Sequence, residues 1–231
     1  MKNNIRFISF DLDDTLWDNA PVIQTAKIKL YKKIIEIYPL VSKSITYEMY
    51  EKKGNDLYQN KKFQCDWFLL RRAHIIDLLT QSGYDPEIES ENIEYLANYY
   101  YFWRNRVVLF PDVEKILCQL ASHYQLISIT NGNANVNEIG IGQFFQFSIN
   151  AAQVGEKKPS PKLYQQAIKQ TQMLPHQICH IGNHFEEDIV AALNTGMQAI
   201  WFNPEGKKMP EINDHREIKS IKNLTELLTI F

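Results

Sequence analysis

The pattern of apolar and polar positions changes character twice along the chain. The opening segment IRFISFDLD is apolar and β-branched and ends in carboxylates at Asp11 and Asp13. A short continuous apolar run of this kind is typical of a strand buried on both faces of a parallel sheet. From about Pro21 to Arg106 apolar residues recur at helical spacing, as in PVIQTAKIKLYKKIIEIY, which Pro39 ends. We therefore predict a buried strand followed by a block of helices.

After Pro111, helical and strand-like segments alternate. Helices are predicted at PDVEKILCQLASHY, PSPKLYQQAIKQTQ, FEEDIVAALNTGM and NLTELLTIF, and strands at QLISITNGN, QICHIGN and QAIWF. Alternation of this kind predicts a parallel sheet covered on both faces by helices. The predicted fold class is therefore α/β, a doubly wound parallel sheet. Its core domain comprises residues 1–16 and 107–231, and a helical cap domain of residues 17–106 is inserted into it.

Composition and charge narrow the classes of function. The net charge of −2 argues against the broad electropositive face that duplex nucleic-acid binding needs. Carboxylates interrupt the N-terminal segment before a secretory signal could form, and no run has the length of a membrane span. The three cysteines form no CxxC pair, which disfavours zinc sites and disulfides. We expect a cytoplasmic protein without nucleic-acid or membrane partners; the pattern carries no signal for its oligomeric state.

Four short segments each end a predicted strand or follow one, which is the edge where open parallel sheets bind ligands. They are FDLDDTLWD (10–18), SITNGN (128–133), KKPSP (157–161) and IGNHFEED (181–188). Together they resemble the haloacid dehalogenase-like superfamily, whose four motifs occur in this order. The resemblance covers nearly the whole chain, because the helical block occupies the position of that family's first-type cap domain.

Asp11 and Asp13 carry the predicted chemistry. Asp11 would attack phosphorus and form an aspartyl-phosphate, which divides one difficult displacement into two. Asp13 reaches the same pocket, where it would protonate the leaving alkoxide and then activate water. Two neighbouring carboxylates differ in pKa, so one can stay ionised while the other holds a proton. A turn or helix N-cap is the alternative interpretation, which the buried strand and the three partner motifs disfavour.

The second and third segments supply candidate phosphate contacts. Thr130 ends a predicted strand, where its hydroxyl and the amide of Asn131 can hold a phosphate oxygen, with Gly132 in the same turn. A lysine would neutralise the transferring phosphoryl group and steady the nucleophile. The residues alone give little reason to choose between Lys157 and Lys158. The resemblance favours Lys158, since the family's catalytic lysine directly precedes a proline.

The resemblance also implies a magnesium ion held by oxygen ligands, namely Asp11, the backbone carbonyl of Asp13, Asn183 and Asp188. The fourth segment departs from the family pattern, because Gly182 is followed by Asn183 where the family usually has aspartate. An amide oxygen can coordinate magnesium but brings no charge, so we expect weaker binding than at an all-aspartate site. Glu186 and Glu187 are interpreted as negative charge at a helix N-terminus.

Fold alone does not decide the reaction, since the family contains dehalogenases, phosphonatases, phosphomutases and phosphatases. The resemblance implies that haloacid dehalogenases lack the second aspartate and the metal, so Asp13 favours a phosphatase. The first, second and fourth segments look similar to a bacterial branch acting on flavin mononucleotide and a phosphorylated ribitylamino-pyrimidine of riboflavin biosynthesis. The alternatives are a sugar or nucleotide phosphatase, or a weakened member that binds a phosphate ligand or partner without turnover, as Asn183 suggests.

The helical block is rich in aromatic side chains that could stack on a flavin ring, including Trp67, Phe68, Tyr99, Tyr100, Tyr101, Phe102 and Trp103. Packing among the helices is the favoured interpretation of these rings. Trp17, Asp18 and Asn19 follow the nucleophile, where we expect them to line the entrance of the site or to form the first hinge.

Overall fold

The computed structural model describes residues 4–211 and 218–231. The chain divides into two compact units. The helical unit comprises Asn19–Val107, and the sheet unit comprises the chain up to Asp18 and from Val108 onward.

The sheet unit is built on six parallel strands in the order β3-β2-β1-β4-β5-β6. The strands are β1 (Phe7–Phe10), β2 (Gln125–Thr130), β3 (Phe145–Asn150), β4 (Ile178–Gly182), β5 (Gln198–Phe202) and β6 (Lys219–Ile221). The strand order reverses direction at β1, which lies between β2 and β4. Ligands of such sheets bind beyond the carboxyl ends of the strands at this switch point. The predicted doubly wound α/β fold is confirmed.

Three of the four residues of strand β1 are buried. Ile8, Ser9 and Phe10 are all fully shielded from solvent, as predicted from the continuous apolar run. Ser9 pairs in register with a residue of β2 on one side and with His180 of β4 on the other. Both neighbours therefore fix the point at which β1 ends and the loop begins.

The helical unit contains five α-helices and one short 3-10 helix. They are α1 (Asn19–Ile37), α2 (Val41–Ser44), α3 (Tyr47–Tyr58), the 3-10 helix Lys61–Phe63, α4 (Trp67–Gln81) and α5 (Ser90–Arg104). Thr46 and Asp66 cap α3 and α4 through side-chain oxygens that accept backbone N–H groups. Helix α1 buries one face at the four-residue spacing of Ala26, Leu30 and Ile34. This unit therefore has its own apolar core.

The helices of the sheet unit are short and pack on its strands. They are α6 (Val113–Ala121), α7 (Val136–Ile139), α8 (Ala151–Val154), α9 (Lys162–Thr171), α10 (Ala191–Asn194) and α11 (Leu227–Ile230), with 3-10 helices Gly142–Phe144, Pro175–Gln177 and Leu224–Glu226 and a π-helix Phe185–Val190. Leu163 and Ala167 of α9 pack in one core cluster with Ile127 and Ile129 of β2. No helix within residues 4–211 and 218–231 combines the length and apolar character needed to cross a membrane.

Three features of this unit differ from the sequence prediction. Strands β3 and β6 at the sheet edges were not predicted, because their sequences FQFSIN and KSI lack the continuous apolar run of the central strands. The segment predicted as one helix, FEEDIVAALNTGM, begins as the π-helix Phe185–Val190 before it continues as α10. Single π-helical turns inside helices occur frequently at functional sites.

Candidate active site

Asp11 follows β1 directly and is buried, with 6% of its surface exposed. Its amide donates to the carbonyl of Ile181 in β4 at 2.8 Å, which anchors the backbone at the tip of the strand. Its Oδ1 accepts from the Lys158 ammonium at 2.6 Å, and its Oδ2 accepts from the Thr15 hydroxyl at 3.1 Å. Two donors from different loops therefore hold this carboxylate in one orientation.

Lys158 has one of the most deeply buried polar side chains of the protein, with 2% exposed. Its ammonium donates to Oδ1 of Asp11 at 2.6 Å, to Oδ1 of Asp188 at 2.5 Å and to the carbonyl of Ile129 at 3.1 Å. An ammonium has three N–H donors, so these contacts use all of them. Lys158, not its neighbour Lys157, is thus the lysine whose ammonium contacts Asp11.

The pKa values of Asp11 and Asp188 shift in opposite directions, although both carboxylates are buried and both contact the Lys158 ammonium. Burial raises the pKa of Asp11 from its ordinary 3.8 to about 7; Lys158 opposes this shift and the charge of Asp188 adds to it. Burial acts in the same direction on Asp188, but Lys158 and His180 outweigh it and hold the pKa of Asp188 below its ordinary value. One ammonium therefore does not balance two buried carboxylates.

Asp188 is bound by protein donors at both carboxylate oxygens. Oδ1 accepts from Lys158 and from His180 Nε2 at 3.3 Å, and Oδ2 accepts from the amide of His184 at 2.8 Å. The Asp188 carboxylate is an acceptor, so the proton of the neutral His180 ring lies on Nε2. Nδ1 of His180 therefore accepts from the hydroxyl of Ser9 at 2.8 Å. These contacts give Asp188 a role in holding Lys158, and its predicted contact with a metal stays a prediction.

The glycine before Asn183 leaves room for the Asp188 carboxylate. A side-chain carbon added at Gly182 would collide with that carboxyl group. The π-helix Phe185–Val190 returns the chain to this point, with the amide of Asp188 donating to the carbonyl of His184 at 2.8 Å. The close approach explains a glycine at the end of β4.

The Asn131 side chain binds the backbone of Lys158 from both directions. Its Oδ1 accepts from the Lys158 amide at 2.6 Å, and its Nδ2 donates to the Lys158 carbonyl at 3.1 Å. Nδ2 also donates to the carboxylate of Glu187 at 2.9 Å, and the Tyr164 hydroxyl donates to the Glu187 carbonyl at 2.6 Å. The predicted phosphate-binding residue Asn131 therefore uses its side chain to fix the loop that carries Lys158.

Thr130 and Gly132 lie in the turn after β2, where they were predicted. Thr130 ends the strand with 2% of its surface exposed. Its Oγ1 accepts from the Gly132 amide at 3.0 Å, so this amide of the turn is engaged within the turn itself.

Asn183 is half-buried beside Asp11. Its Oδ1 accepts from the Thr15 hydroxyl at 3.2 Å, and the same hydroxyl lies 3.1 Å from Oδ2 of Asp11. A hydroxyl has one proton, so it can satisfy only one of these two oxygens at a time. The indole N–H of Trp201 donates to the Asn183 carbonyl at 2.9 Å and fixes the backbone there.

Asp13 lies two residues beyond Asp11 and is half-buried. Its Oδ1 accepts from the indole N–H of Trp17 at 3.1 Å. Trp17 is fully buried, so it does not line an exposed entrance as one of its two expected positions required. The boundary between the two units falls one residue beyond it, after Asp18, and its expected place at a hinge stays a prediction.

These loops converge on one point at the switch of a Rossmann-like sheet. They bring together a buried carboxylate, a lysine fixed on it and a second carboxylate two residues further on. Fold and site together define an α/β enzyme with a carboxylate positioned to act on a ligand. Residues 5–196 match the family model for haloacid dehalogenase-like hydrolases, so the chain belongs to this family.

Several known proteins are similar to this chain over most of its length. The 5-amino-6-(5-phospho-D-ribitylamino)uracil phosphatase YigB of Escherichia coli K12 is 28% identical over 97% of this chain and 96% of its own. A glyceraldehyde 3-phosphate phosphatase of Pyrococcus abyssi is 29% identical over 86% of this chain and 81% of its own. The family match and these phosphatase relatives support the assignment of this chain as a phosphatase.

Among solved structures, a 2-haloacid dehalogenase from Pseudomonas syringae pv. Tomato DC3000 matches with a TM-score of 0.88. It is 32% identical and the match covers 98% of this chain and 97% of that one. The shared fold therefore extends through both units of the chain.

Sequence reasoning missed the contacts that hold Lys158 in place. Glu187 was interpreted only as helix-terminal charge, whereas its carboxylate accepts from Asn131. His180 was assigned no role from the sequence, whereas its ring contacts the Asp188 carboxylate. The sequence did contain one signal for these contacts: Asn131 directly follows a strand end, and the fourth segment offers acidic acceptors for its side chain.

We predict that Glu187→Ala lowers kcat for phosphate ester hydrolysis about tenfold, because Asn131 loses an acceptor and the Lys158 loop loosens. Glu187→Gln keeps a carbonyl oxygen that accepts from Asn131, so its kcat should stay within about threefold of wild type. Steady-state kinetics and thermal unfolding of the purified variants check this.

The matched control is Glu186→Ala, which removes the same charge from the neighbouring exposed position. It should leave kcat nearly unchanged. Equal losses for Glu187→Ala and Glu187→Gln would mean that the charge of Glu187, rather than its hydrogen bond, matters.

Proposed function

We propose that this protein hydrolyses phosphate monoesters of a small metabolite through a covalent phosphate on Asp11. The observation that carries the proposal is the buried Asp11 carboxylate, held by Lys158 at the switch point with Asp13 two residues beyond it. The phosphatase relatives support the same reaction class.

In the first half-reaction, an oxygen of Asp11 attacks phosphorus as the bond from phosphorus to the ester oxygen breaks. Asp13 in its protonated form gives its proton to the departing alkoxide, which leaves as an alcohol. The products are the aspartyl-phosphate and ionised Asp13. Attack requires ionised Asp11, which the ammonium of Lys158 favours and burial opposes.

In the second half-reaction, ionised Asp13 takes a proton from water as the water oxygen attacks phosphorus. The bond between phosphorus and the Asp11 oxygen breaks, which releases inorganic phosphate and regenerates the Asp11 carboxylate. Asp13 is protonated again and ready for the next ester. The same carboxyl group thus serves as acid and then as base.

Lys158 and the turn after β2 supply the charge and the donors for the phosphoryl group. The Lys158 ammonium is already in place before any ligand binds, so it need not reorganise as charge develops. Thr130 carries a hydroxyl at the end of β2, directly after Ile129, whose carbonyl accepts from this lysine, and the amide of Asn131 follows it. We assign both to the phosphoryl oxygens.

The oxygen donors near Asp11 fit a magnesium ion. Asp11, the backbone carbonyl of Asp13 and the amide oxygen of Asn183 are the hard ligands that magnesium prefers. Thr15 can satisfy only one of the two neighbouring oxygens, and one ammonium leaves the buried carboxylates short of positive charge. Within residues 4–211 and 218–231, no three His, Cys, Asp or Glu side chains form a metal-binding group, so the amide and carbonyl would be needed. When bound, the ion would reduce repulsion between Asp11 and the phosphate dianion.

Asp13 favours phosphate ester cleavage over dehalogenation. Attack on carbon with loss of halide needs no proton donor, whereas loss of an alkoxide does. The structural similarity to a 2-haloacid dehalogenase therefore supports the fold and not that reaction.

The proposed substrate is a flavin-type phosphate, either flavin mononucleotide or the phosphorylated ribitylamino-uracil. The support is the similarity to YigB, which extends over 97% of the chain. The glyceraldehyde 3-phosphate phosphatases, which match over a smaller share of the chain, make a triose phosphate the second candidate.

Asp11→Asn should lower the rate of phosphate release at least about a thousandfold, because the amide cannot attack phosphorus. Phosphate release in the presence of magnesium, together with trapping of the acid-stable phosphoenzyme, checks this. Asp14→Asn is the matched control: it removes a neighbouring exposed carboxylate, and asparagine tolerates the left-handed backbone found there. Equal rates for wild type and Asp11→Asn would end the proposal of a covalent mechanism.

A substrate panel tests the flavin assignment. We expect kcat/KM for flavin mononucleotide or the ribitylamino-uracil phosphate to exceed that for nucleotides, sugar phosphates and glyceraldehyde 3-phosphate by at least about tenfold. A clear preference for sugar or triose phosphates would remove the flavin substrate while leaving the phosphatase in place.

Asn183→Asp should lower the magnesium concentration that gives half-maximal activity by about tenfold, because a carboxylate adds charge to the ligand set. Magnesium titrations of activity measure this. Gln170→Glu, an exposed change of equal charge on the sheet unit, should leave the titration unchanged. An unchanged titration for Asn183→Asp would exclude position 183 from the metal site.

A further inference from the structure

The segment after β1 folds back on itself. Asp14 has a φ of 59°, in the left-handed region, and its amide donates to the carbonyl of Trp17 at 2.9 Å. Trp17 forms one β-bridge with Asp13 and a second, antiparallel bridge with Leu109. The backbone of Trp17 is therefore held on both sides.

The Trp17 side chain is as fixed as its backbone. It is fully buried, and its indole N–H donates to Oδ1 of Asp13 at 3.1 Å. An indole N–H donates but does not accept. Oδ1 therefore remains a hydrogen-bond acceptor, and the proton that Asp13 carries as an acid belongs on Oδ2.

We propose that Trp17 is a positioning residue for the general acid and base, Asp13. By holding Oδ1, the indole fixes which oxygen carries the proton and restricts rotation of the carboxyl group. Both effects direct the proton toward the leaving oxygen, where a misplaced donor loses most of its value. The inference rests on the proposed phosphatase reaction, and Trp17 acts through Asp13 rather than on the substrate.

The step that depends on this orientation is departure of the alcohol. The bond from phosphorus to the ester oxygen breaks, the bond from phosphorus to Asp11 forms, and the Oδ2 proton of Asp13 passes to the departing oxygen. An alkoxide needs that proton, whereas p-nitrophenolate is stable without it. Loss of the indole N–H should therefore affect alkyl and p-nitrophenyl esters unequally.

Trp17→Phe removes the N–H and keeps an aromatic ring. We expect kcat/KM to fall about tenfold or more for the alkyl phosphates of the substrate panel, flavin mononucleotide and glyceraldehyde 3-phosphate among them. For p-nitrophenyl phosphate it should stay within about threefold of wild type. The ratio kcat/KM covers the steps up to departure of the leaving group, so later hydrolysis of the phosphoenzyme does not affect it.

The matched control is Tyr124→Phe, which also removes an aromatic hydrogen-bond donor from the sheet unit. The Tyr124 hydroxyl donates to the carbonyl of Phe231 at 3.2 Å, and Tyr124 precedes β2 at the end of the strand away from the site. This change should lower kcat/KM only slightly, and to the same extent for both ester types. A packing role for Trp17 without orientation of Asp13 would likewise lower both ester types to the same extent, and that result for Trp17→Phe would overturn the inference.

A second variant covers the case in which Trp17→Phe does not fold. A tryptophan analogue with sulfur in place of the indole N–H, incorporated at position 17, preserves the bicyclic shape and removes only the donor. The same selective loss on alkyl phosphates supports the inference, and wild-type rates on all esters overturn it. A wild-type protein that hydrolyses no phosphate ester would instead refute the proposed function, with which this inference falls.

Discussion

The contact on which the site depends is the buried ammonium of Lys158 between the carboxylates of Asp11 and Asp188. Burying an ammonium costs several kcal/mol unless its donors are matched, and here all three are used, the third on the carbonyl of Ile129. The acceptors come from the tip of β1, from β2 and from the π-helix after β4. Three separate segments must therefore keep their register for the lysine to remain charged, and the parallel sheet supplies that register.

Much of the fold was predictable from the sequence because the central strands are continuous apolar runs. A continuous apolar run that ends in two carboxylates predicted both β1 and the position of Asp11 at its tip. The edge strand β3 alternates polar and apolar residues in FQFSIN. Such a pattern occurs in strands at a sheet edge and also in loops, so it did not identify a strand. Position in the sheet, which the local sequence does not encode, decided this element.

The site was predictable where chemistry is local and not where it depends on contacts across the fold. Asp11 and Asp13 are two residues apart, so one strand end places both. The Glu187 carboxylate lies 2.9 Å from Nδ2 of Asn131 because the π-helix brings it there. The spacing of apolar residues along the sequence does not predict a π-helical turn. For the same reason the contacts of the Asp188 carboxylate with Lys158 and with the amide of His184 were not predicted. Among the aromatic side chains singled out in the helical unit, Tyr100 is buried in its core and Phe68 and Trp103 pack against that core, as predicted. Phe102 is exposed instead.

The same scaffold can cleave different bonds because the reaction is selected by few groups. A carboxylate fixed by a lysine is a nucleophile toward carbon or phosphorus alike, so Asp11 and Lys158 alone do not distinguish the two. What an ester adds is a leaving oxygen that needs a proton, and Asp13 is the group that we propose as its donor. A half-buried carboxyl group can rotate and hold its proton on either oxygen, unless a fixed donor occupies one of them. The indole of Trp17 donates to Oδ1 of Asp13, so in the proposed mechanism this side chain helps to select the reaction together with the carboxylates of the turn after β1.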